Sequence, residues 1–256
     1  MRIFFFAVTG LLLAPLHAVR AESPWRLESA EPLPSRSPAV THRLLTLQSD
    51  RTLEVHLVCF DRNRTTLRVL DLAPGASVAA TVRASGGLAG VNGGYFKPDH
   101  TPLGLVVCKG VTLHAWENSK ILTGVLAVTP RGASLLRAAE FSSGPGVREA
   151  LQAGPFLVDR GRPVAGLNAT RLAERTVLLA ESKGVAALLS TAPVSLAELG
   201  QLLATPGLFP GLKIERALNL DGGSSTALWV AAEPAPYLRP EWKPVRNAVA
   251  ILPAGK

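Results

Sequence analysis

Short segments in which apolar and polar residues alternate make up most of the chain. In residues 53–59, Leu53, Val55, Leu57 and Cys59 occupy every second position, so they share one face of an extended strand. Similar segments, many of them bounded by glycine or proline, predict further strands at 44–47, 66–72, 88–92, 104–108, 111–115, 124–129, 152–158, 162–165, 175–181, 185–189 and 247–252. The chain is therefore expected to be rich in β-structure.

Two segments have the composition and spacing of helices. Residues 78–84 are rich in alanine and follow Ser77, a suitable N-cap. Residues 196–203 place four leucines on one helical face, behind a capping-box pair formed by Ser195 and Glu198. There is no strand–helix–strand repetition and no internal repeat. The sequence predicts a single α+β domain, with a largely antiparallel or mixed β-sheet and few helices.

The first residues have the features of a secretory signal peptide. Arg2 precedes an apolar stretch that is short for a membrane span, and small residues surround Ala21. We therefore expect a signal peptide over 1–21, an extended proline-rich leader over 22–42 and the main domain over 43–256. A retained N-terminal anchor is the alternative. No later segment is long and apolar enough to span a membrane, so the predicted location is periplasmic or secreted.

The positive charge of the chain narrows the class of partner. The formal net charge of +8 becomes +6 when Arg2 and Arg20 leave with the signal peptide. A basic surface favours anionic partners, such as phosphodiesters, anionic polymers or lipid headgroups. The basic residues are scattered, without an arginine-rich run, so no nucleic-acid partner is predicted.

The two cysteines leave two interpretations open. Cys59 and Cys108 both lie in apolar, strand-like segments, where they would act as small buried hydrophobic residues. Export would also permit a disulfide between them. Neither cysteine belongs to a cluster with the spacing of a zinc site.

Two distant segments share one design, in which a buried strand leads to a polar residue and two glycines. One runs from Gly90 to Phe96 and contains Asn92; the other runs from Ala217 to Leu228 and contains Asp221. Glycines at such a bend allow a positive φ and a close approach by a ligand. Asp221 is therefore a candidate proton-transfer group or metal anchor, and Asn92 a candidate hydrogen-bonding group. The alternative for both is an Asx turn, in which the side chain caps its own bend.

The residues around the second bend extend this candidate site. Asn219 alternates with Asp221 and should leave the same face of the strand. The hydroxyls of Ser224, Ser225 and Thr226 are candidate donors to phosphate oxygens. A serine nucleophile is not favoured, because no partner base can be assigned.

Together with Gly154-Pro155 and Arg175-Thr176, these segments resemble the phosphodiester glycosidase domain family, which includes N-acetylglucosamine-1-phosphodiester alpha-N-acetylglucosaminidase and bacterial relatives. The similarity runs in order from about Val55 to Leu252. It implies that one cleft is surrounded by these residues: Asn92, Gly93, Gly94, Gly154, Pro155, Arg175, Asp221, Gly222, Gly223, Ser224, Ser225 and Asn247. Within that cleft, the rigid fork of Arg175 would suit a phosphate.

The resemblance implies a secreted or periplasmic hydrolase that cleaves a sugar-1-phosphodiester in envelope or exopolysaccharide glycans. Asp221 and Asn92 would be catalytic, and the substrate would be a phosphorylated carbohydrate. No cofactor is predicted with certainty, and a divalent metal held by Asp221 and backbone oxygens remains open. Two rival hypotheses are a non-catalytic envelope glycan-binding protein on the same scaffold and a phosphodiesterase that acts on non-sugar esters.

Overall fold

A computed structural model of the protein describes residues 24–255. These residues form eighteen β-strands and two α-helices. The first nine strands are β1 (Arg26–Leu33), β2 (Val40–Gln48), β3 (Thr52–Phe60), β4 (Thr65–Asp71), β5 (Ala89–Asn92), β6 (Val106–Cys108), β7 (Val111–His114), β8 (Gly124–Thr129) and β9 (Gly132–Arg137). The others are β10 (Glu149–Ala153), β11 (Phe156–Asp159), β12 (Arg162–Pro163), β13 (Ala173–Glu181), β14 (Gly184–Val194), β15 (Arg216–Asn219), β16 (Leu228–Val230), β17 (Tyr237–Arg239) and β18 (Asn247–Pro253).

The strands form three sheets. The largest has eight strands in the order β1-β2-β3-β14-β13-β15-β11-β12. Two five-stranded sheets have the orders β7-β6-β10-β8-β9 and β17-β16-β5-β18-β4. The strand pairs within all three are antiparallel, as in β13 with β15 and β18 with β5. The predicted antiparallel β-structure is confirmed, but it is divided among three sheets, so α+β is only a loose label for a fold with so little helix.

The three sheets enclose a common hydrophobic core. Each contributes inward-facing residues to it, for example Leu178 from the eight-stranded sheet, Leu151 from the second sheet and Val249 from the third. Phe156 illustrates how closely the layers approach, because a Cβ atom on Gly124 would lie 2.2 Å from its ring. Alternation along each strand directs its other side chains to outer faces, which need separate cover.

The two helices cover two of these outer faces. Helix α1 (Val78–Ala84) packs on the third sheet, where a Cβ atom on Gly90 would lie 2.5 Å from Val82 Cγ2. Helix α2 (Leu196–Ala204) packs its leucines on the eight-stranded sheet. The predicted N-caps are confirmed: the Ser77 hydroxyl accepts from the Ala80 N–H, and the Ser195 hydroxyl from the Glu198 N–H. The Glu198 carboxylate instead pairs with Arg51 at 2.5 Å.

The segment predicted as an extended leader is part of the main sheet. Strand β1 pairs with β2 along most of its length, from Arg26 opposite Gln48 to Leu33 opposite His42. Pro32, the one proline within β1, is tolerated because β1 is an edge strand. The predicted signal peptide, 1–21, lies outside the described residues. Between residues 24 and 255, no helix has the length and apolar character needed to cross a membrane.

Two further expectations are resolved by the structure. The single strand predicted over 152–158 is two strands, because the chain leaves β10 at Ala153 and enters β11, in another sheet, at Phe156. The cysteines are both free thiols. Cys59 lies in the eight-stranded sheet and Cys108 in the second sheet, so the interpretation as separate, partly buried thiols holds.

Candidate active site

The two glycine bends meet at one end of the sheets. The Asn92 side-chain amide donates to the Asp221 carbonyl oxygen at 2.8 Å. In return, the Asp221 N–H donates to the Gly93 carbonyl oxygen at 3.1 Å. The prediction that these distant segments form one site is therefore supported by direct contacts between them.

The Asn92 side chain links three separate segments of the site through hydrogen bonds. This side chain is 0% exposed. The side-chain oxygen of Asn92, Oδ1, accepts from the Thr176 hydroxyl at 2.6 Å and from the Ala227 N–H at 3.0 Å. Because protein groups use both ends of this amide, none of it faces a ligand. We correct the expected catalytic role of Asn92 to that of a positioning residue.

Asn247 performs a similar task for the first glycine bend. Its Oδ1 accepts from the Gly94 N–H at 2.7 Å, and its backbone oxygen accepts from the Gly93 N–H at 2.8 Å. A Cβ atom on Gly93 would lie 2.0 Å from that Oδ1, so only glycine fits there. Gly93, Gly94 and Asn247 thus shape the site, and their contact with substrate stays a prediction.

The Asp221 carboxylate lies partly buried beside its own bend. Its Oδ1 accepts from the Gly222 N–H at 2.8 Å, so the predicted turn-capping role is also present. Burial raises the pKa of the Asp221 carboxyl above its ordinary value, opposed by a hydrogen bond from the Ser225 hydroxyl, the Gly222 N–H and the charge of Arg171. A carboxylate in such surroundings is suited to proton transfer.

Tyr95 and Asn219 form the floor next to Asp221. The Tyr95 hydroxyl donates to the Gly154 carbonyl oxygen at 2.7 Å and accepts from Asn219 Nδ2 at 3.1 Å. Burial and the negative charge of Asp221 raise the pKa of Tyr95 to about 12, so this phenol is a neutral hydrogen-bonding group at physiological pH. Asn219 positions Tyr95, although its own buried Oδ1 has no partner among residues 24–255.

Arg175 brings a positive charge to this cluster. It is 7% exposed, and its Nε and Nη2 donate to the carbonyl oxygens of Val194 and Arg171, at 3.0 and 2.8 Å. Within the described chain it forms no ion pair with a carboxylate. Burial lowers the pKa of its guanidinium, while Tyr95 opposes that shift. A buried cation whose bonds go only to carbonyls retains the capacity to bind an anion.

The glycine-serine bend lies directly against the strand that carries Arg175. A Cβ atom on Gly222 would lie 2.7 Å from the Glu174 carbonyl oxygen and 3.8 Å from Arg175 Cα. Gly223 adopts a φ of 62°, which turns the chain back. The positions of Gly222 and Gly223 therefore set the approach between the Asp221 and Arg175 backbones.

The three hydroxyl residues of this bend have different surroundings. Ser224 is exposed and remains a candidate donor to substrate. Ser225 is buried and hydrogen-bonds Asp221. Thr226 is fully buried, so it cannot meet a ligand from solution, which corrects its expected role in substrate binding.

A loop after β17 forms one rim of the site. The backbone N–H groups of Trp242 and Lys243 both donate to the Ser224 carbonyl oxygen, at 2.9 and 3.1 Å. The Trp242 side chain is 81% exposed. The Glu241 carboxylate anchors the same loop by accepting from the Val78 N–H at 2.8 Å. A tethered loop therefore presents an exposed indole beside the bend, and an apolar ring of this kind can pack against a sugar face.

Among residues 24–255, no second carboxylate is seen to join Asp221. Four other acidic residues could be considered for that role, and each is engaged elsewhere: Asp99 with Thr101, Glu117 with Lys97, Glu174 with Arg239, and Glu181 with Arg62. Residues 24–255 also contain no group of three or more His, Cys, Asp or Glu side chains arranged to hold a metal ion. The divalent metal suggested by the sequence remains a hypothesis that only Asp221 would anchor.

Comparison with known proteins identifies the family. The model of the phosphodiester glycosidase family matches residues 85–252, more than half of the chain. The chain belongs to this family. The match includes both glycine bends, Arg175 and Asn247, so the family assignment and the site described above concern the same residues.

Two solved structures share the fold. The catalytic domain of zebrafish N-acetylglucosamine-1-phosphodiester alpha-N-acetylglucosaminidase, auto-inhibited by its pro-peptide, is 15% identical, with a TM-score of 0.63 over 89% of this chain and 88% of that one. A hypothetical protein from Synechocystis is 16% identical, with a TM-score of 0.59 over 90% of this chain and 72% of that one. No curated protein matches the chain in sequence.

Three residues of the candidate site were missed from the sequence. Tyr95 lies in the first glycine bend, and its hydroxyl reaches Asn219 and Gly154. Arg171 precedes β13 and acts through its charge on Asp221, and nothing in its sequence neighbourhood marks it. Trp242 lies in a proline-rich loop, where a lone aromatic residue among polar neighbours was the available signal.

Proposed function

We propose that this protein is a secreted or periplasmic hydrolase that cleaves the bond between an anomeric carbon and a phosphate in envelope or exopolysaccharide glycans. Membership of the phosphodiester glycosidase family supports a glycosidase-type hydrolase. One observation carries the proposal: Arg175 is a buried cation without a carboxylate partner among residues 24–255, placed against the bend of Asp221.

Arg175 and Arg171 would hold the phosphate diester. The charges of both arginines lower the pKa of Tyr95 and that of Asp221 raises it, which supports a location of these groups near one another. The Arg175 guanidinium is fixed by two carbonyl oxygens and keeps further N–H groups for phosphate oxygens. Exposed Arg171 gives the site a second cation nearer to solvent. This arrangement favours a substrate with a single negative charge, which is the charge of a phosphodiester.

A single carboxylate, that of Asp221, is sufficient for the hydrolysis of a sugar phosphodiester. Ordinary glycosidases use two carboxyl groups, one of which protonates the leaving oxygen. A phosphate monoester leaves as a stabilised anion and needs little protonation, so arginine can meet the developing charge instead. Asp221 would then act as the base. Water attacks the anomeric carbon, its proton passes to Asp221, and the carbon–oxygen bond breaks with its electron pair on the phosphate oxygen.

The substitution Asp221→Asn tests this proposal with little change in shape. A chromogenic α-N-acetylglucosamine-1-phosphodiester is a suitable first substrate, because the zebrafish relative is named for activity on that class. We expect kcat to fall by about 100-fold or more, the usual effect of losing an acid–base group. Asp50→Asn serves as the matched control, since it makes the same exchange at an exposed aspartate in the turn between β2 and β3, and it should retain most of the activity.

The rival hypotheses predict other results. A glycan-binding protein would bind the phosphorylated sugar without turnover, and Asp221→Asn would leave binding unchanged. A general phosphodiesterase would hydrolyse a non-sugar diester as fast as the matched glycosyl ester. Either result would overturn the proposed activity.

A further inference from the structure

The end of the sheets opposite the candidate active site carries a second concave surface. The strand pairings show which ends of the strands lie at this surface and which lie at the candidate active site. Arg175 lies near the start of β13, and Glu181 ends that strand opposite Gly184. In the third sheet, Asn247 begins β18, and Pro253 ends it opposite Thr65. From Arg175 to Glu181 an extended strand rises about 20 Å, at about 3.3 Å per residue. Whatever binds at this far end therefore does not share the Asp221 site.

Two adjoining cavities form a groove there. One, of about 680 Å³, lies among the turns after β3, β8 and β13, and it is lined by Arg62, Arg131 and Lys183. The other, of about 480 Å³, is lined by Arg68, Lys109 and Arg148. Residues 66–67 and 128–130 line both cavities, so the two are continuous. We call this surface the distal groove.

Positive charge dominates the distal groove. Its lining contains the six basic residues named above and two acidic ones, Asp61 and Glu149. Glu149 pairs with Arg68 at 2.7 Å, and Asp61 is bonded to the Asn63 N–H within its own turn. Four basic residues have no carboxylate partner within the described chain: Lys109, Arg131, Arg148 and Lys183. Several unpaired cations along one groove create an attractive field for an extended anion.

The shape and lining of the distal groove indicate the kind of anion. Hydroxyl and amide side chains from Thr66, Thr129 and Asn63 lie among the cations and suit the hydroxyl groups of sugars. A flat bilayer cannot enter a concave surface between three turns. Single-stranded nucleic acid would need exposed aromatic rings for base stacking, and the lining aromatic residue, Phe60, packs against the central core.

We propose that the distal groove binds a strand of anionic polysaccharide, bearing phosphate, sulfate or carboxylate groups, separately from the Asp221 site. The interaction would retain the protein on polymeric glycans without taking part in bond cleavage. This inference holds whether or not Asp221 hydrolyses a phosphodiester, because it depends on the opposite end of the fold.

The experiment compares a variant that lacks two positive charges of the distal groove with a control variant that lacks two positive charges elsewhere. Arg131→Gln/Lys183→Gln changes exposed turn residues whose side chains make no hydrogen bond in the described structure. Arg26→Gln/Arg162→Gln removes the same charge from exposed positions on the edge strands β1 and β12. Full-length proteins, shown to be folded by circular dichroism, are titrated with fluorescent dextran sulfate, neutral dextran of equal length, an oligothymidylate and phosphatidylglycerol vesicles.

The groove variant should bind dextran sulfate about tenfold more weakly, with a reduced salt dependence, because fewer counterions are released. The control pair should bind like the unmodified protein, and neutral dextran should not compete. Turnover of a small chromogenic phosphodiester should be the same in both variants. Equal weakening by the control pair would overturn the inference, as would equal binding of neutral dextran or tighter binding of the oligothymidylate or the vesicles.

Discussion

The side-chain amide of Asn92 donates a hydrogen bond to the backbone oxygen of Asp221, which lies 129 residues further along the chain. The same side chain accepts from Thr176, beside Arg175. One buried amide thus links the first glycine bend, the acid-bearing bend and the strand that carries the buried cation. The relative placement of acid and cation depends on a residue that is completely buried.

Replacing Asn92 with alanine should lower stability. The Thr176 hydroxyl, the Ala227 N–H and the Asp221 carbonyl would each lose a buried partner, and an unsatisfied buried group costs about 1–3 kcal/mol. We expect the free energy of unfolding, measured with denaturant, to fall by at least about 2 kcal/mol. Asn63→Ala is the control, because that side chain is exposed and makes no hydrogen bond in the described chain. Equal stability in the two variants would contradict the positioning role.

Arg175→Lys should impair catalysis more than folding. Lysine keeps the positive charge but lacks the planar fork that bonds two carbonyl oxygens and the phosphate. We expect kcat/KM for a sugar phosphodiester to fall by about 100-fold, the effect of losing an aligned donor to developing charge. Arg26→Lys, an exposed exchange of the same kind, should have no effect. Full activity in Arg175→Lys would exclude phosphate binding by this residue.

The Ser225 hydroxyl should set the acid side of the pH profile. Its hydrogen bond stabilises the charged carboxylate and so lowers the pKa of Asp221, against the rise caused by burial. Removing it in Ser225→Ala should raise that pKa. A base must be deprotonated to act, so the acid limb of kcat/KM should move to higher pH. Ser224→Ala should leave the acid limb of kcat/KM at its original pH. An equal shift of that limb in both variants would contradict a specific Ser225–Asp221 hydrogen bond.

His42, which is buried, and His56, which is partly buried, should make the protein less stable in mild acid. His42 Nε2 lies 3.1 Å from His56 Nδ1, and the Tyr237 hydroxyl lies 2.9 Å from His56 Nε2. Burial, followed by the charge of the neighbouring histidine or of Arg239, lowers the pKa of His42 and of His56 from 6.5 to about 4. In the unfolded chain they take up protons near pH 6.5, so stability is full above that pH and is lost as the pH falls towards 4.

Denaturant unfolding at pH 7 and pH 5 measures this effect. The free energy of unfolding should be smaller at pH 5, and the difference should shrink in His56→Gln. His100→Gln changes an exposed histidine and should leave the difference unaltered. If His56→Gln keeps the full pH dependence, the loss arises from other groups.

Local patterns were sufficient to predict much of the fold. Alternation located most strands, and the serines before each helix predicted both N-caps, because these features depend on neighbouring residues only. The division into three sheets could not be predicted, since the pairing of β5 with β18 and β16 joins segments far apart in sequence. The pairing of β1 with β2 was missed because Pro32 and the prolines on either side of β1 resemble a loop when the edge position of that strand is unknown.

The site shows the same limit. The glycine bends and Asp221 carry a sequence signal, since few residues can form such a bend. The assignment of Asn92 and Thr226 to ligand contact was wrong because burial, which sequence does not reveal, separates a supporting residue from an accessible one. Arg171 and the distal groove depend on charges brought together by the fold, from segments with no common motif.

The position of bond cleavage tests the central claim most directly. The protein is allowed to hydrolyse a sugar-1-phosphodiester in ¹⁸O-labelled water, and the products are analysed by mass spectrometry. Attack at the anomeric carbon predicts that the heavy oxygen enters the sugar and that the phosphate monoester remains unlabelled. Label in the phosphate would contradict the account, because it would show attack at phosphorus.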